Sequence, residues 1–263
     1  GITTTDYIYN KYNQVVKETI AQKETITASQ HSLVRIENQT AYADISENIL
    51  AIPTYDNTVL SSMVEKGMLG ISVYSQSIKD GIPISKIINR FYPKDNGILL
   101  KSRESFDFNT QSFYNTITFN HSQGNIVNLY KEGDVNETYY WGYKGEYPVL
   151  KAENIPFETF HSEVDAVLSA KGFSSIDALL STVTGSNDAA WKDFNSALRS
   201  RSGLTGVRIS AYTYDPLKGI TSSTDPNGIT SYYEYDGFGR LFQIKDDKGN
   251  VLKRYEYNYA IQP

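Results

Sequence analysis

The sequence predicts a β-dominated α+β protein: an antiparallel meander of β-hairpins, a short helix in its N-terminal half, a three-helix insertion, and closing hairpin repeats. Three observations carry this expectation. Turn signals of the Asp-Gly and Asn-Gly kind punctuate residues 71–150 at about 8–12-residue intervals. Tyrosine occurs 21 times against 2 tryptophans and 2 methionines, a bias toward a side chain that suits strands and half-buried surfaces. The last sixty residues repeat themselves.

The elements follow in chain order. Val59, Leu60, Met63 and Val64 lie at helical spacing between Asp56 or Asn57, suited to an N-cap, and Gly67, suited to a stop, so a helix is expected over 56–66. Strands are expected at 71–79, 83–92, 98–108, 113–121, 126–131, 136–143 and 147–152. The turns between them include Asp80-Gly81, Lys94-Asp95-Asn96-Gly97, Gln123-Gly124-Asn125 and Glu132-Gly133-Asp134. The character then changes. Phe157, Phe160, Val164, Val167 and Leu168 stop at Gly172; Ile176, Leu179 and Leu180 follow Ser174-Ser175; Trp191, Phe194 and Leu198 follow Asn187-Asp188. Three amphipathic helices result, read as an inserted cap or side domain that ends at Gly203-Leu204-Thr205-Gly206. The expected organisation is 1–155 meander, 156–203 helical insertion and 204–263 repeats.

In the closing segment, Tyr212-Thr213-Tyr214-Asp215 is followed by Gly219 and Asp225-Pro226-Asn227-Gly228. Tyr233-Glu234-Tyr235-Asp236 is followed by Gly239-Arg240-Leu241 and Asp246-Asp247-Lys248-Gly249. A third copy begins at Tyr255-Glu256-Tyr257-Asn258. Tyr214 to Tyr235 and Asp225 to Asp246 are each 21 residues apart. Tyrosines at i and i+2 share one face of a strand, which predicts an aromatic ladder across successive hairpins, while Asp, Asn and Gly serve the turns. One hairpin cannot bury its own apolar face, so the units must stack on each other or on the rest of the chain.

Tyr233-Glu234-Tyr235-Asp236-Gly237-Phe238-Gly239-Arg240-Leu241 resembles the Y-x-Y-D-x-x-G-R-L core of the YD repeats of RHS, teneurin and insecticidal-toxin shell proteins. Tyr7-Ile8-Tyr9-Asn10-Lys11-Tyr12-Asn13-Gln14-Val15-Val16 resembles a degenerate copy, with Asn10 for Asp and Asn13-Gln14 for Gly-Arg. Trp141 to Val149 resembles a segment found ahead of the closing repeats in YD-repeat surface proteins of Gram-negative anaerobes. The resemblance implies a non-catalytic structural segment of a bacterial surface or secreted protein. Its partners would be other parts of a longer parent chain or other surface proteins. The same resemblance allows a fragment of a polymorphic-toxin shell, and the chain is far too short to close such a shell alone. Gly1 in place of Met suggests a cleaved tag or an excised piece of a longer polypeptide; the shell alternative needs a much longer parent and a toxin domain downstream, whereas this sequence stops after Tyr259-Ala260-Ile261-Gln262-Pro263.

Composition removes several function classes. A net charge of −5 with scattered lysines and arginines offers no footprint for nucleic acid. No window has the length and apolarity of a membrane span, and zero cysteines exclude disulfides, thiolate metal sites and a cysteine nucleophile. No cofactor is indicated. Asp225 with Asn227, and Asp246 with Asp247 and Asn250, place oxygen ligands on tight loops as calcium would require, but without EF-hand spacing, and turn geometry already explains them. Glu132 with Asp134, and Glu104 with Asp107, are the candidate carboxylate pairs for glycoside hydrolysis, set against a role on wet faces and turns. His31, His121 and His161 are isolated in sequence. Tyr139, Tyr140, Trp141, Tyr143 and Tyr147 could form a carbohydrate platform or an aromatic ladder; alternation puts Tyr139, Trp141 and Tyr143 on one face and Tyr140 on the other. Arg240 is expected to stack on a tyrosine or pair with Asp236.

Overall fold

The computed structural model describes residues 2–27, 30–131, 133–184 and 188–257. Among them are fifteen strands, antiparallel to their chain neighbours within each of two compact units, and four α-helices. The chain divides into two compact units: Gly1–Gly124 with Lys131–Gly133, and Asn125–Tyr130 with Asp134–Pro263. This differs from the expected 1–155, 156–203 and 204–263 division, because the three helices pack on strands of both flanking segments and join them in one unit.

The first unit contains β1 (Ile2–Tyr9), β2 (Val15–Thr27), β3 (Gln30–Tyr42), β4 (Ser72–Lys79), β5 (Ile82–Lys94), β6 (Gly97–Asp107) and β7 (Ser112–Ser122). The last four lie within two residues of the strands expected from turn punctuation. β2 and β3 had no expected counterpart, for a physical reason. Their faces carry cross-strand polar pairs in place of apolar alternation: Lys17 with Glu37 (2.7 Å), Asn38 with Glu18 (2.8 Å), and Gln76 of β4 with Gln39 (2.8 Å). Between β3 and β4 stands α1 (Asn57–Glu65). The Asp56 side chain accepts from the Thr58 amide at 2.9 Å, and the helix ends at Gly67 with φ +72°. Its Val59, Leu60 and Met63 bury against Ala43, Val73 and Ile98.

The second unit contains β8 (Asn125–Tyr130), β9 (Glu137–Gly142), β10 (Tyr147–Glu153), β11 (Arg208–Asp215), β12 (Gly219–Thr224), β13 (Thr230–Tyr235), β14 (Leu241–Asp246) and β15 (Val251–Arg254). The connection from β10 to β11 carries α2 (Phe157–Ala170), α3 (Ile176–Leu180) and α4 (Ala189–Arg199). α2 stops at Gly172 (φ +80°), where the Phe173 amide returns to the Leu168 carbonyl. Ser175 caps α3 through the Ala178 amide. The expected start of α4 at Asn187-Asp188 falls partly outside the described residues, and the Asp188 carboxylate turns instead to Tyr232 and Lys192.

These helices are not a side domain. Phe160, Val164, Trp191, Phe194 and Leu198 pack on Leu150, Ala152, Ile209 and Ala211, so the insertion supplies most of this unit's core. The sheet face changes along the chain to match: apolar at Ile209 and Ala211, hydroxyl-bearing at Thr213, Ser222, Thr224 and Thr230, then charged at Glu234 and Lys245.

Candidate functional site

The repeat motif is built from one turn used four times. At Asp225, Asp236 and Asp246, the Oδ1 atom accepts from the backbone amides two and four residues later at 2.8–3.0 Å. In each, the Asp amide donates to the carbonyl four residues on, and the glycine three residues on donates back to the Asp carbonyl. Those glycines, Gly228, Gly239 and Gly249, have φ of +83°, +75° and +83°, which explains the spacing D-x-x-G. The fourth copy is the degenerate one. Asn10 Oδ1 accepts from the Tyr12 and Gln14 amides, both at 3.0 Å, and Asn13 takes the glycine place with φ +61°. A side chain at the fifth position pairs with the first: Arg240 Nε to Asp236 (2.7 Å), Asn250 to Asp246 (2.8 Å), Asn10 to Gln14 (2.8 Å). These partners hold the Asp236 and Asp246 carboxyls below the usual range, chiefly through Arg240 and Asn250 respectively.

The tyrosine ahead of the turn enters through a shared irregularity of register. Tyr9 pairs with Val15, Tyr214 with Ile220 and Tyr235 with Leu241, each after a bulge. Aligned this way, Lys218 matches Gly239 and Gly219 matches Arg240, one place from the sequence pairing of the two glycines. Gly219 (φ +129°) leaves space for a phenol, since a Cβ there would lie 3.0 Å from the Tyr235 hydroxyl.

The tyrosines do not form the expected ladder. Of Tyr212, Tyr214, Tyr233, Tyr235, Tyr255 and Tyr257, the only ring pairs among the described residues join Tyr214 to Tyr143 (5.9 Å) and Tyr147 (4.7 Å). The motif recurs on alternate strands, which places successive tyrosines about 9–10 Å apart, beyond ring contact. The hydroxyl instead reaches one strand back. Tyr235 donates to the Ile220 carbonyl (2.8 Å), Tyr257 to Leu241 (2.8 Å), and Tyr214 to Pro148 (3.2 Å). Outside the motif, Tyr42 donates to Val15 (3.1 Å), Trp141 Nε1 to Ile126 (2.8 Å), and Asn89 Nδ2 to Ser72 (2.9 Å). In all six cases the acceptor is the first or second residue of its strand. Each bond staples one hairpin to the hairpin before it. Burial raises the phenols of Tyr42, Tyr214 and Tyr235, that of Tyr214 to about 12.

Arg240 does both things expected of it, pairing with Asp236 and lying 4.4 Å above the Tyr257 ring. The other candidates are engaged structurally. Tyr140 donates to Asp165 (2.7 Å), which faces His161 Nδ1 (3.0 Å), and stacks on the His161 ring at 4.6 Å; only the fold brings these three together. Tyr139 binds Glu137, and the Tyr143 hydroxyl accepts from the Tyr214 amide (2.8 Å). Tyr143 lies with Tyr140 against the helices, opposite to the expected face, because β9 ends at Gly142 and Tyr143 turns at φ +52°. Glu104 pairs with Arg90 (3.1 Å), and Asp107 caps the Asn109 amide. His121 is buried beside Tyr92, its imidazole pushed down by burial. Glu132, the His31 side chain, Asn258 and residues 259–263 lie outside the described residues. A cavity of about 550 Å³ is lined by Tyr143, Tyr214, Tyr233 and Tyr235, with Asp215 and Glu234. All four of these phenol oxygens are already hydrogen-bonded within the protein. Among the described residues no group of three His, Cys, Asp or Glu is placed to hold a metal.

Residues 214–251 match the model of the RHS Repeat family. They resemble one RHS repeat. This repeat spans β12, β13 and β14, the turns at Asp225, Asp236 and Asp246, and the Tyr235 staple. Solved structures similar to the chain include the Photorhabdus luminescens Tc holotoxin pore (12% identity, TM-score 0.37) and TcdB2-TccC3 (12%, 0.36). The superpositions cover 97% and 96% of this chain and 12% and 13% of those chains, so the chain spans about an eighth of their length. A porin-like protein from Bacteroides uniformis superposes over 93% of this chain and 88% of its own (12% identity, TM-score 0.28). Comparison with curated proteins gives no match.

Proposed function

We propose that this chain is a non-catalytic scaffold segment of a bacterial surface or secreted RHS-type protein, held to other hairpins of a longer parent or to other surface proteins. The observation that supports this reading is the use of the polar groups. The repeated Asp, Asn, Arg and Tyr side chains are spent on turns and on hairpin-to-hairpin staples, and the aromatics of the possible sugar platform are bonded into the fold. A shell fragment of a polymorphic toxin is the finer form of the same reading, and it requires many further repeats and a toxin domain in the parent.

The test is a glycan array and a polysaccharide-release assay on the purified chain, with denaturant melts of Tyr235→Phe in parallel. The expected result is neither binding nor turnover, together with a lowered midpoint for Tyr235→Phe. Turnover, or glycan binding lost in Trp141→Ala, would overturn the reading.

A further inference from the structure

We infer that the outer edge of β1 is a receiving edge for a preceding hairpin of the same kind, with Tyr9 as the side chain that staples it. The inference rests on the scaffold reading and extends it to a particular surface and partner.

Four observations converge on β1. Its turn at Asn10 has the bonding of the three Asp turns, and Tyr9 has the register of Tyr214 and Tyr235. Tyr214 and Tyr235 each donate to the strand before them, whereas Tyr9 stands 52% exposed and its hydroxyl has no partner among the described residues. β1 pairs only with β2 among those residues, and all eight of its residues are exposed, Ile2 at 71% and Ile8 at 50%. Sheet edges that face water permanently are usually blunted by lysine, proline or a short length. Ile2-Thr3-Thr4-Thr5-Asp6-Tyr7-Ile8-Tyr9 has neither residue and carries a single charge, Asp6, with its one bulge at the turn end, while the edge strand β15, Val251–Arg254, is four residues long and carries Lys253 and Arg254.

The partner is therefore specified by chemistry. It is an antiparallel strand that follows a hairpin turn and presents a backbone carbonyl, at its first or second residue, to the Tyr9 phenol. This is β-strand addition with a side-chain lock on register. Thr230 stands in register with Thr4, and Tyr235 with Tyr9, so the chain's own repeats can serve as probes.

Two chimeras test the assignment: residues 208–229 joined directly before Thr4, and residues 230–250 joined directly before Thr3 of the full remaining chain. Hydrogen exchange of the β1 amides should slow by about tenfold or more in at least one chimera. Tyr9→Phe should lower that chimera's unfolding midpoint and leave the unfused chain unchanged. Unchanged β1 exchange in both chimeras would overturn the assignment. An equal effect of Tyr9→Phe with and without the added hairpin would do the same. So would a concentration-dependent dimer of the unfused chain with protected β1 amides, which would make a second copy the occupant. These failures leave the scaffold reading standing, because that reading falls on turnover or on glycan binding lost in Trp141→Ala, neither of which the chimeras measure.

Discussion

At the level of single residues, the motif divides its work between a carboxylate that folds a turn and a phenol that joins two hairpins. A phenol raised by burial stabilises the fold fully below its unfolded pKa near 10, and that contribution is lost as pH rises through the folded value. For Tyr214 the window runs from about 10 to about 12, and an alkaline titration should show Tyr214 ionising above the range of a free phenol. The turn carboxylates have the opposite sign. Asp236 and Asp246 are lowered, so their contribution is present above about 4 and fades as pH falls below it. Carboxyl resonances followed by NMR in acid should place both midpoints below those of free aspartate. The Asp and Gly positions were legible because a φ > 0 turn admits few residues. The staples were not, because their acceptors are backbone carbonyls that any residue provides, and because Trp141 and Asn89 do the same work as tyrosine.

Among the elements, the helical insertion shows what a sequence can and cannot disclose. Its apolar stripes were readable from spacing, and the helices stand where those stripes put them. What the stripes face was not readable, since Leu150, Ala152, Ile209 and Ala211 come from strands on both sides of a long connection. Replacing residues 156–207 by a short Gly/Ser bridge should therefore abolish cooperative unfolding of the second unit, measurable by near-UV circular dichroism in denaturant. Phe160 is fully buried in this core, and Phe160→Ala should cost about 3–5 kcal/mol. Gly142 makes the same point locally. A Cβ there would lie 2.5 Å from Leu180 and 2.9 Å from Val149, so Gly142→Ala should cost about 1–3 kcal/mol by overpacking.

Across the whole molecule, a meander of hairpins gains order from one side-chain bond between each stapled hairpin and the one before it, in both compact units, with α1 and the three later helices filling cores that a lone sheet lacks. The long polar strands β2 and β3 belong to this plan even though their sequences lack alternation, because Tyr42 staples β3 to β2 as Tyr235 staples β13 to β12. The most direct test is a denaturant melt series in which only hydroxyls are removed: Tyr42→Phe, Tyr214→Phe and Tyr235→Phe beside Tyr114→Phe, Tyr130→Phe and Tyr212→Phe. Each staple variant should lose about 0.5–1.5 kcal/mol, the net value of a hydrogen bond, and each control should lose less than about 0.5 kcal/mol. Staple and control variants with the same midpoints would contradict the account.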